Sequence, residues 1–268
     1  MTTFKDIGKP IVIASHPRSG THLTIDLLRK QFAECKSWKM PGEPLDRLYF
    51  ALESFAPKFN PLSESAALNI LQRATRPIIK THCSPQFSYL SPNKTDWINW
   101  LKKEADIYYV LRDGRDVMCS LHLFMQSYNP ATRCSLSEFM RQKTGGVSRI
   151  KSWSNHIQMW LNEPKVKVLK FENIITNTNL VLSNVRQDLH LTPLSCHPIL
   201  PKKTNSLWHG RWIRLTQIQP ETTAIIGYYR GQKPAKWHTK FTDEDKDFFK
   251  SEAGDLLIDL GYESFNNW

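Results

Sequence analysis

The sequence lacks several features that would assign the protein to a class at once. No apolar run approaches the roughly 20 residues that a membrane-spanning helix needs. The N-terminus has no apolar segment after its charges, so no secretory signal is expected. The five cysteines are scattered without C-x-x-C spacing, and their odd number argues against a disulfide framework or a zinc site. We therefore expect a cytoplasmic protein with reduced thiols, no membrane partner and no metal.

Motifs for nucleic-acid binding are missing as well, although the chain is basic. The formal net charge is +11 and the isoelectric point is near 9.4. Such a charge favours a polyanionic partner, but it does not choose between a nucleic acid, an acidic membrane surface and a multiply charged small molecule. There is no long basic run, zinc-finger spacing or RNP-like motif. We expect no nucleic-acid partner.

The pattern that the sequence does contain is an alternation of strands and helices. At 268 residues with 40% hydrophobic content, the chain can build one sizeable core, and we predict one domain over residues 1–268. Short apolar runs predict buried strands at 11–14 and 77–80, and two further strands are predicted at 105–111 and 166–171. Helical spacing predicts helices at 23–32, 63–73, 92–103, 116–125, 135–141, 147–161, 174–189, 221–229 and 242–260. Irregular segments are predicted at 37–61, with short helical pieces, and at 192–214. This alternation predicts an α/β fold, a single-domain doubly wound parallel sheet flanked by helices.

The first predicted strand leads directly into a tight loop and a helix, within KPIVIASHPRSGTHLTIDLLRKQF. This geometry aims backbone N–H groups and the positive end of the helix dipole at one point, which makes an anion site. Arg18 and the hydroxyls of Ser19 and Thr21 add donors, so the implied ligand is a phosphate or sulfate ester. A loop with one Gly and one Arg is nevertheless common in α/β proteins. The nucleotide signature G-x-x-x-x-G-K-[ST] is absent, which argues against ordinary ATP chemistry.

Three polar turns follow three of the predicted strands: SHPRSGT, KTHCS and RDGRDVMCS. The carboxyl ends of parallel strands lie along one edge of a sheet. The side chains that can converge at this edge are Arg18, Lys80, His82, Arg112 and Ser120. Structural alternatives stay open for three of them: Arg112 can pair with Asp116, Ser120 can be a small packing residue, and His82 can be one of nine histidines that falls at a strand end by chance.

These segments resemble those of PAPS-dependent sulfotransferases of the cytosolic or bacterial small-molecule type. PRSGTHL is similar to their 5′-phosphosulfate loop, IIKTHCS to the KTH segment with the catalytic histidine, and YVLRDGRDVMCSLHLF to the 3′-phosphate motif. Their order and spacing also agree, over about residues 9 to 242. The resemblance implies a P-loop-NTPase-like sulfotransferase fold, the donor 3′-phosphoadenosine 5′-phosphosulfate (PAPS), the product PAP and a small-molecule acceptor.

The resemblance also implies a role for individual residues. It implies that His82 is the general base, which its reference pKa of about 6.5 permits near neutral pH. Lys80 and Arg18 would stabilise charge on the sulfuryl group in transfer. The implied donor-binding residues are Arg18, Ser19, Gly20, Thr21, His22, Arg112, Ser120, Arg230 and Gly231.

The chain departs from the family pattern at several positions. Arg18 stands where many cytosolic members have Lys, and Leu23 stands where many have a Trp that stacks on adenine. RGQKPAKW only loosely resembles the motif RKGxxGDW: Arg230 and Trp237 match, Lys236 replaces the acid, and a one-residue shift would align Gly231 differently.

Two other functions remain open from the residues alone. An ATP-dependent small-molecule kinase of similar fold would need the missing Walker Lys and a magnesium-binding hydroxyl. A non-catalytic nucleotide-binding protein would not need His82. The acceptor is left open, because residues 37–59, 128–146 and 195–219, which are expected to shape its pocket, contain no motif. Their Trp and Tyr content suits a flat or cyclic apolar body.

Overall fold

The computed structural model describes residues 3–55, 61–87, 90, 94–201, 223 and 237–268. Its strands are β1 (Ile11–Ser15), β2 (Phe50–Ala51), β3 (Ile78–Thr81), β4 (Asp106–Leu111), β5 (Lys143–Thr144), β6 (Val147–Ser148) and β7 (Val166–Lys170). Five of them form one parallel sheet in the order β2-β3-β1-β4-β7, while β5 and β6 form a small antiparallel ribbon. The predicted α/β class with a parallel sheet is confirmed.

Helices cover this sheet. They are α1 (Thr21–Gln31), α2 (Glu64–Leu71), α3 (Thr95–Glu104), α4 (Gly114–Met125), α5 (Leu136–Arg141), α6 (Arg149–Leu161), α7 (Phe171–Thr176), α8 (Thr178–Leu189) and α9 (Asp243–Asp259). Short 3-10 helices occupy Phe4–Asp6, Leu45–Leu48, Leu52–Phe55, Pro130–Thr132 and Trp237–Thr239. No helix within the described ranges is long and apolar enough to cross a membrane.

The central strand β1 decides where a ligand can bind. It pairs with β3 on one side and with β4 on the other, so that Ala14 is level with both Thr81 and Tyr109. The chain therefore leaves β1 toward one side of the sheet and later returns to its other side. In open α/β sheets such a reversal creates a crevice at the carboxyl ends of the strands.

Both faces of β1 are buried, as its continuous apolar run predicts. Val12 and Ala14 belong to one core cluster, which includes the fully buried Trp97, and Ile11 and Ile13 belong to a second cluster. Burying one side chain of the size of Val or Ile contributes about 1.5–3 kcal/mol. These contacts fix the strand that leads into the loop at residues 16–20, which we call the anion loop.

Local hydrogen bonds set several helix boundaries. The predicted helix at 147–161 starts two residues late, because Val147 and Ser148 pair with β5, and the hydroxyl of Ser148 then accepts from the Lys151 N–H at 3.0 Å. The single helix predicted at 174–189 is wrong. It is broken at Asn177, whose φ of −126° and ψ of 41° lie outside the helical region.

Of the remaining features, one was predicted, one is new, and one lies almost wholly outside the described residues. The capping pattern TDED is confirmed, because the Thr242 hydroxyl accepts from the Asp245 N–H at 3.2 Å and α9 follows. Strand β2 is an addition, since its two residues lie in a segment predicted to contain only loop and short helical pieces. Apart from Thr223, the predicted helix at 221–229 lies outside the described residues, and so do Arg230 and Gly231.

Candidate active site

The loop between β1 and α1 has a backbone that requires glycine. Gly20 adopts a φ of 105°, and an ideal Cβ at this position would lie 2.3 Å from the ring of Phe171. Gly20 is also the N-cap of α1, which has no side-chain cap. The first amide groups of a helix have no intrahelical partner and attract anions. The hydroxyls of Ser15 and Thr21 lie 2.6 Å apart beside this turn.

Two arginines and a serine join the end of β1 to the end of β4. The Nε of Arg18 donates to the hydroxyl of Ser120 at 3.2 Å, and a terminal nitrogen of Arg112 donates to the Arg18 carbonyl at 3.2 Å. The guanidinium of Arg18 lies 4.8 Å from the ring centroid of Phe124. The predicted convergence of these three polar residues is thus observed.

The guanidinium of Arg112 contacts several neighbouring groups, but one of its N–H donors has no hydrogen-bond partner among the described residues. It is 8% exposed, and its guanidinium lies 4.4 Å from the ring centroid of Phe171. A terminal nitrogen is 3.5 Å from the carboxylate of Asp116, so the pairing expected as the structural alternative is present. The buried Nε of Arg112 has no hydrogen-bond partner in the described part of the chain. A buried donor without a partner is costly, and an anion would satisfy it.

His82, at the end of β3, has a defined tautomer. Its Nδ1 lies 2.8 Å from the backbone carbonyl oxygen of Ser15. A carbonyl oxygen can only accept, so Nδ1 carries the hydrogen and Nε2 keeps its lone pair. Burial, and then the charge of Lys80, holds the pKa of His82 well below its usual value. The ring is therefore neutral at pH 7, and its Nε2 can accept a proton.

Sequence reasoning missed Glu53, which lies in the 3-10 helix directly after β2. Its carboxylate accepts from the His82 backbone N–H and from the Thr81 hydroxyl at 3.2 Å. The other carboxylate oxygen lies 3.9 Å from the Lys80 Nζ. No motif marks this acid. The available signal was its position after a strand, and β2 was itself not predicted.

A second hydrogen-bond network, which was also not predicted, connects the loop after β1 with the turn after β3. The backbone N–H of His16 donates to the Tyr109 hydroxyl at 3.2 Å, and that hydroxyl lies 2.9 Å from the Nδ1 of His156. The Nε2 of His156 lies 3.0 Å from the carbonyl oxygen of His82 and must donate to it. Tyr109 therefore donates to His156. These hydrogen bonds connect the anion loop to the turn that contains His82.

His22, on the first turn of α1, belongs to the same electrostatic environment. Burial, together with the charges of Lys80 and Arg18, lowers the pKa of His22 to about 3. Its Nδ1 lies 2.9 Å from the hydroxyl of Thr223. Leu23, the next residue, is 4% exposed within the core, so it is not placed to stack on a ligand.

Ser19 is buried within the loop. It is 1% exposed, and its N–H donates to the His16 carbonyl at 3.2 Å. The structure thus gathers most of the predicted site residues at the carboxyl edge of the sheet: Arg18, Ser19, Gly20, Thr21, His22, Lys80, His82, Arg112 and Ser120. Arg230 and Gly231 are outside the described ranges.

A parallel sheet with a basic loop at the end of its central strand defines an α/β protein with a crevice that suits an anionic group. Comparison with protein families then identifies the family to which this protein belongs. The sulfotransferase domain family matches residues 9–260, and the chain belongs to this family. A search of curated proteins found no match.

Solved structures with this fold agree with the assignment. The mouse sulfotransferase SULT7A1 complexed with PAP has a TM-score of 0.58 and 14% identity, covering 95% of this chain and 86% of that one. Retinol dehydratase in a complex with retinol and PAP has a TM-score of 0.54 and 16% identity, covering 94% of this chain and 82% of that one. At these identities the likeness concerns the fold.

Proposed function

We propose that the protein transfers the sulfuryl group of PAPS to a hydroxyl or amine of a small-molecule acceptor, with His82 as the general base. Membership of the sulfotransferase family sets the reaction class. The observation that carries the proposal is the 2.8 Å hydrogen bond from the Nδ1 of His82 to the Ser15 carbonyl. It links the proton-accepting ring to the strand that presents the anion loop.

The charged groups of the site fit a donor with two anionic ends. The loop with Arg18 and Gly20 would hold the 5′-phosphosulfate, while Arg112 and Ser120 would hold the 3′-phosphate. The unpartnered Nε of Arg112 supports an anionic ligand there. Arginine presents several donors in a planar fork, which suits phosphate. Two structures of similar fold contain PAP, which supports the same donor.

The reaction needs a base and fixed positive charge, and this chain has both. PAPS supplies an activated sulfuryl group when it is bound. The Nε2 of His82 removes the proton of the acceptor, because the lowered pKa of this ring keeps it neutral. The side chains of Lys80 and Arg18 offset the negative charge of the group in transfer, as fixed cations do in phosphoryl transfer.

Ligand-induced changes in melting temperature test the donor. A kinase uses magnesium to bridge two phosphates, whereas this site offers Arg18 and Lys80 as its cations. We expect PAP to raise the melting temperature equally in magnesium and in EDTA, and ATP and AMP to do little in either. Stabilisation by ATP that requires magnesium, without a response to PAP, would reject the proposal and favour the kinase.

A further inference from the structure

We propose that Glu53 is a positioning residue that fixes the orientation of His82 with one carboxylate oxygen and maintains the charge of Lys80 with the other. This role rests on the proposed function, in which His82 and Lys80 take part in sulfuryl transfer. It places a carboxylate beside the cation Lys80, as Asp116 lies beside Arg112.

The sheet register brings Glu53 to this position. Ala51 of β2 is level with Lys80 of β3, and the two strands run parallel. Glu53 follows Ala51 by two residues, and His82 follows Lys80 by two residues. The carboxylate therefore emerges beside the turn after β3, although no local pattern in the sequence joins the two segments.

One oxygen, Oε1, binds three consecutive residues of that turn. It accepts from the His82 backbone N–H, from the Thr81 hydroxyl at 3.2 Å and from the Cys83 thiol at 3.7 Å. Hydrogen bonds to a charged acceptor are stronger than those between neutral groups. Because these bonds hold the His82 backbone N–H and the side chains of the residues before and after it, Glu53 restricts the direction in which the imidazole points.

The other oxygen, Oε2, faces Lys80. It is buried, lies 3.9 Å from the Lys80 Nζ, and has no hydrogen-bond partner within the described residues. This separation permits strong charge attraction without a hydrogen bond, so Lys80 can turn toward an anion while Glu53 stays attached to the backbone. Glu53 thus supports the charge of Lys80 without binding its ammonium group tightly.

The ammonium charge of Lys80 needs a nearby negative charge, because the residue is only 9% exposed and is therefore poorly solvated. Burial lowers the pKa of Lys80, and the nearby carboxylate of Glu53, followed by the Cys83 thiol, opposes that effect. Among the described residues, the rings of His22 and His82 also face Lys80, and both are neutral since burial lowers the pKa of each. Of these groups Glu53 supplies the negative charge.

Two variants separate the two roles. Glu53→Gln keeps an oxygen that can accept from the turn but removes the charge, whereas Glu53→Ala removes both. Glu64→Gln is the matched control, because it removes an exposed carboxylate whose partner is Lys94, outside the site.

The kinetic readout is the pH dependence of kcat with PAPS and a simple phenol. Glu53→Gln should move the alkaline limb to lower pH by on the order of one unit, the effect of removing one nearby opposite charge. Glu53→Ala should show the same shift and a further loss in kcat of about tenfold, equivalent to one hydrogen bond. Glu64→Gln should retain the limb of the parent protein.

Titration of Lys80 provides a readout that does not depend on turnover. In protein labelled with carbon-13 at the lysine Cε, the Lys80 signal is assigned by its loss in Lys80→Arg. Its titration midpoint should be lower in Glu53→Gln than in the parent protein and in Glu64→Gln. If Glu53→Ala does not fold, Glu53→Gln still decides the charge role.

The outcomes distinguish this inference from the proposed function. An unchanged Lys80 midpoint and an unchanged alkaline limb in Glu53→Gln would overturn the inference while leaving sulfuryl transfer in place. Full turnover in His82→Ala would instead overturn the role of His82, and the Lys80 titration would still decide whether Glu53 maintains the charge of Lys80.

Discussion

The imidazole of His82 is bound to the backbone of Ser15 rather than to a neighbouring side chain. Its Nδ1–H donates to the Ser15 carbonyl at 2.8 Å, while the Ser15 hydroxyl lies further away, at 3.4 Å. A backbone acceptor cannot be lost through a side-chain substitution, and it cannot donate. The tautomer with a bare Nε2 is therefore a property of the sheet, set by the pairing of β1 with β3.

Replacement of His82 by Asn or Ala should nearly abolish turnover and leave the affinity for PAP close to that of the parent protein. The base acts on the proton of the acceptor in the transition state, not on the bound nucleotide. Sulfation kinetics and calorimetric titration with PAP measure the two effects. The exposed His190 is the control, and His190→Ala should be active. Comparable turnover in His82→Ala would contradict the assignment.

The acid limb of the pH profile should fall below pH 6.5. A general base works in its neutral form, above its own pKa, and burial with the charge of Lys80 lowers the pKa of His82. Lowering this pKa extends activity toward acid. Lys80→Met removes the charge that is the second-largest cause of this lowered pKa, so its residual activity should be lost at a higher pH. Rate measurements between pH 4 and 8 suffice, and a parent limb above 6.5 would be inconsistent with a buried neutral base.

Replacement of Arg112 or Ser120 by Ala should weaken the binding of PAP much more than that of AMP, which has no 3′-phosphate. The expected loss is on the order of 1.5–3 kcal/mol, typical of a hydrogen bond to a charged group. Titration calorimetry with both nucleotides measures the difference. Arg47→Ala removes a cation outside the site and is the control for net charge. Equal losses for PAP and AMP would mean that these residues stabilise the fold instead.

Tyr109→Phe should lower both stability and kcat. The missing hydroxyl leaves the His16 N–H and the Nδ1 of His156 without their partner, at a cost of about 1–3 kcal/mol for each buried group. Tyr108→Phe is a matched control on the same strand, because its hydroxyl donates to the exposed Asp188. Thermal unfolding and turnover should show the larger losses in Tyr109→Phe. Equal effects of the two variants would assign the network no role in the site.

Local sequence patterns were enough to predict the parts of the fold that one segment determines. The apolar run at 11–14 predicts a strand buried on both faces, and the TDED segment predicts the start of α9; both are confirmed. The convergence of Arg18, Arg112 and Ser120 could also be predicted, because parallel strands place their carboxyl ends together.

The remaining features depend on contacts between distant segments. Strand β2 has only two residues, and it exists through its pairing with β3. The roles of Glu53 and His156 follow from hydrogen bonds to His82 across 29 and 74 positions of the chain. A glutamate in an irregular segment, or a histidine within an amphipathic helix, looks the same in sequence whether or not such a contact forms.

The contact between Gly20 and Phe171 limits how this sequence can change over generations. Two independent barriers oppose any replacement at position 20: the φ of 105°, and a ring 2.3 Å from where a Cβ would stand. A smaller residue at 171 would remove the second barrier, but it would also withdraw the ring on which the Arg112 guanidinium lies. A replacement at position 20 therefore needs a second change at position 171, and the strained φ remains even then. In descendants of this chain, positions 20, 112 and 171 should be inherited as a unit.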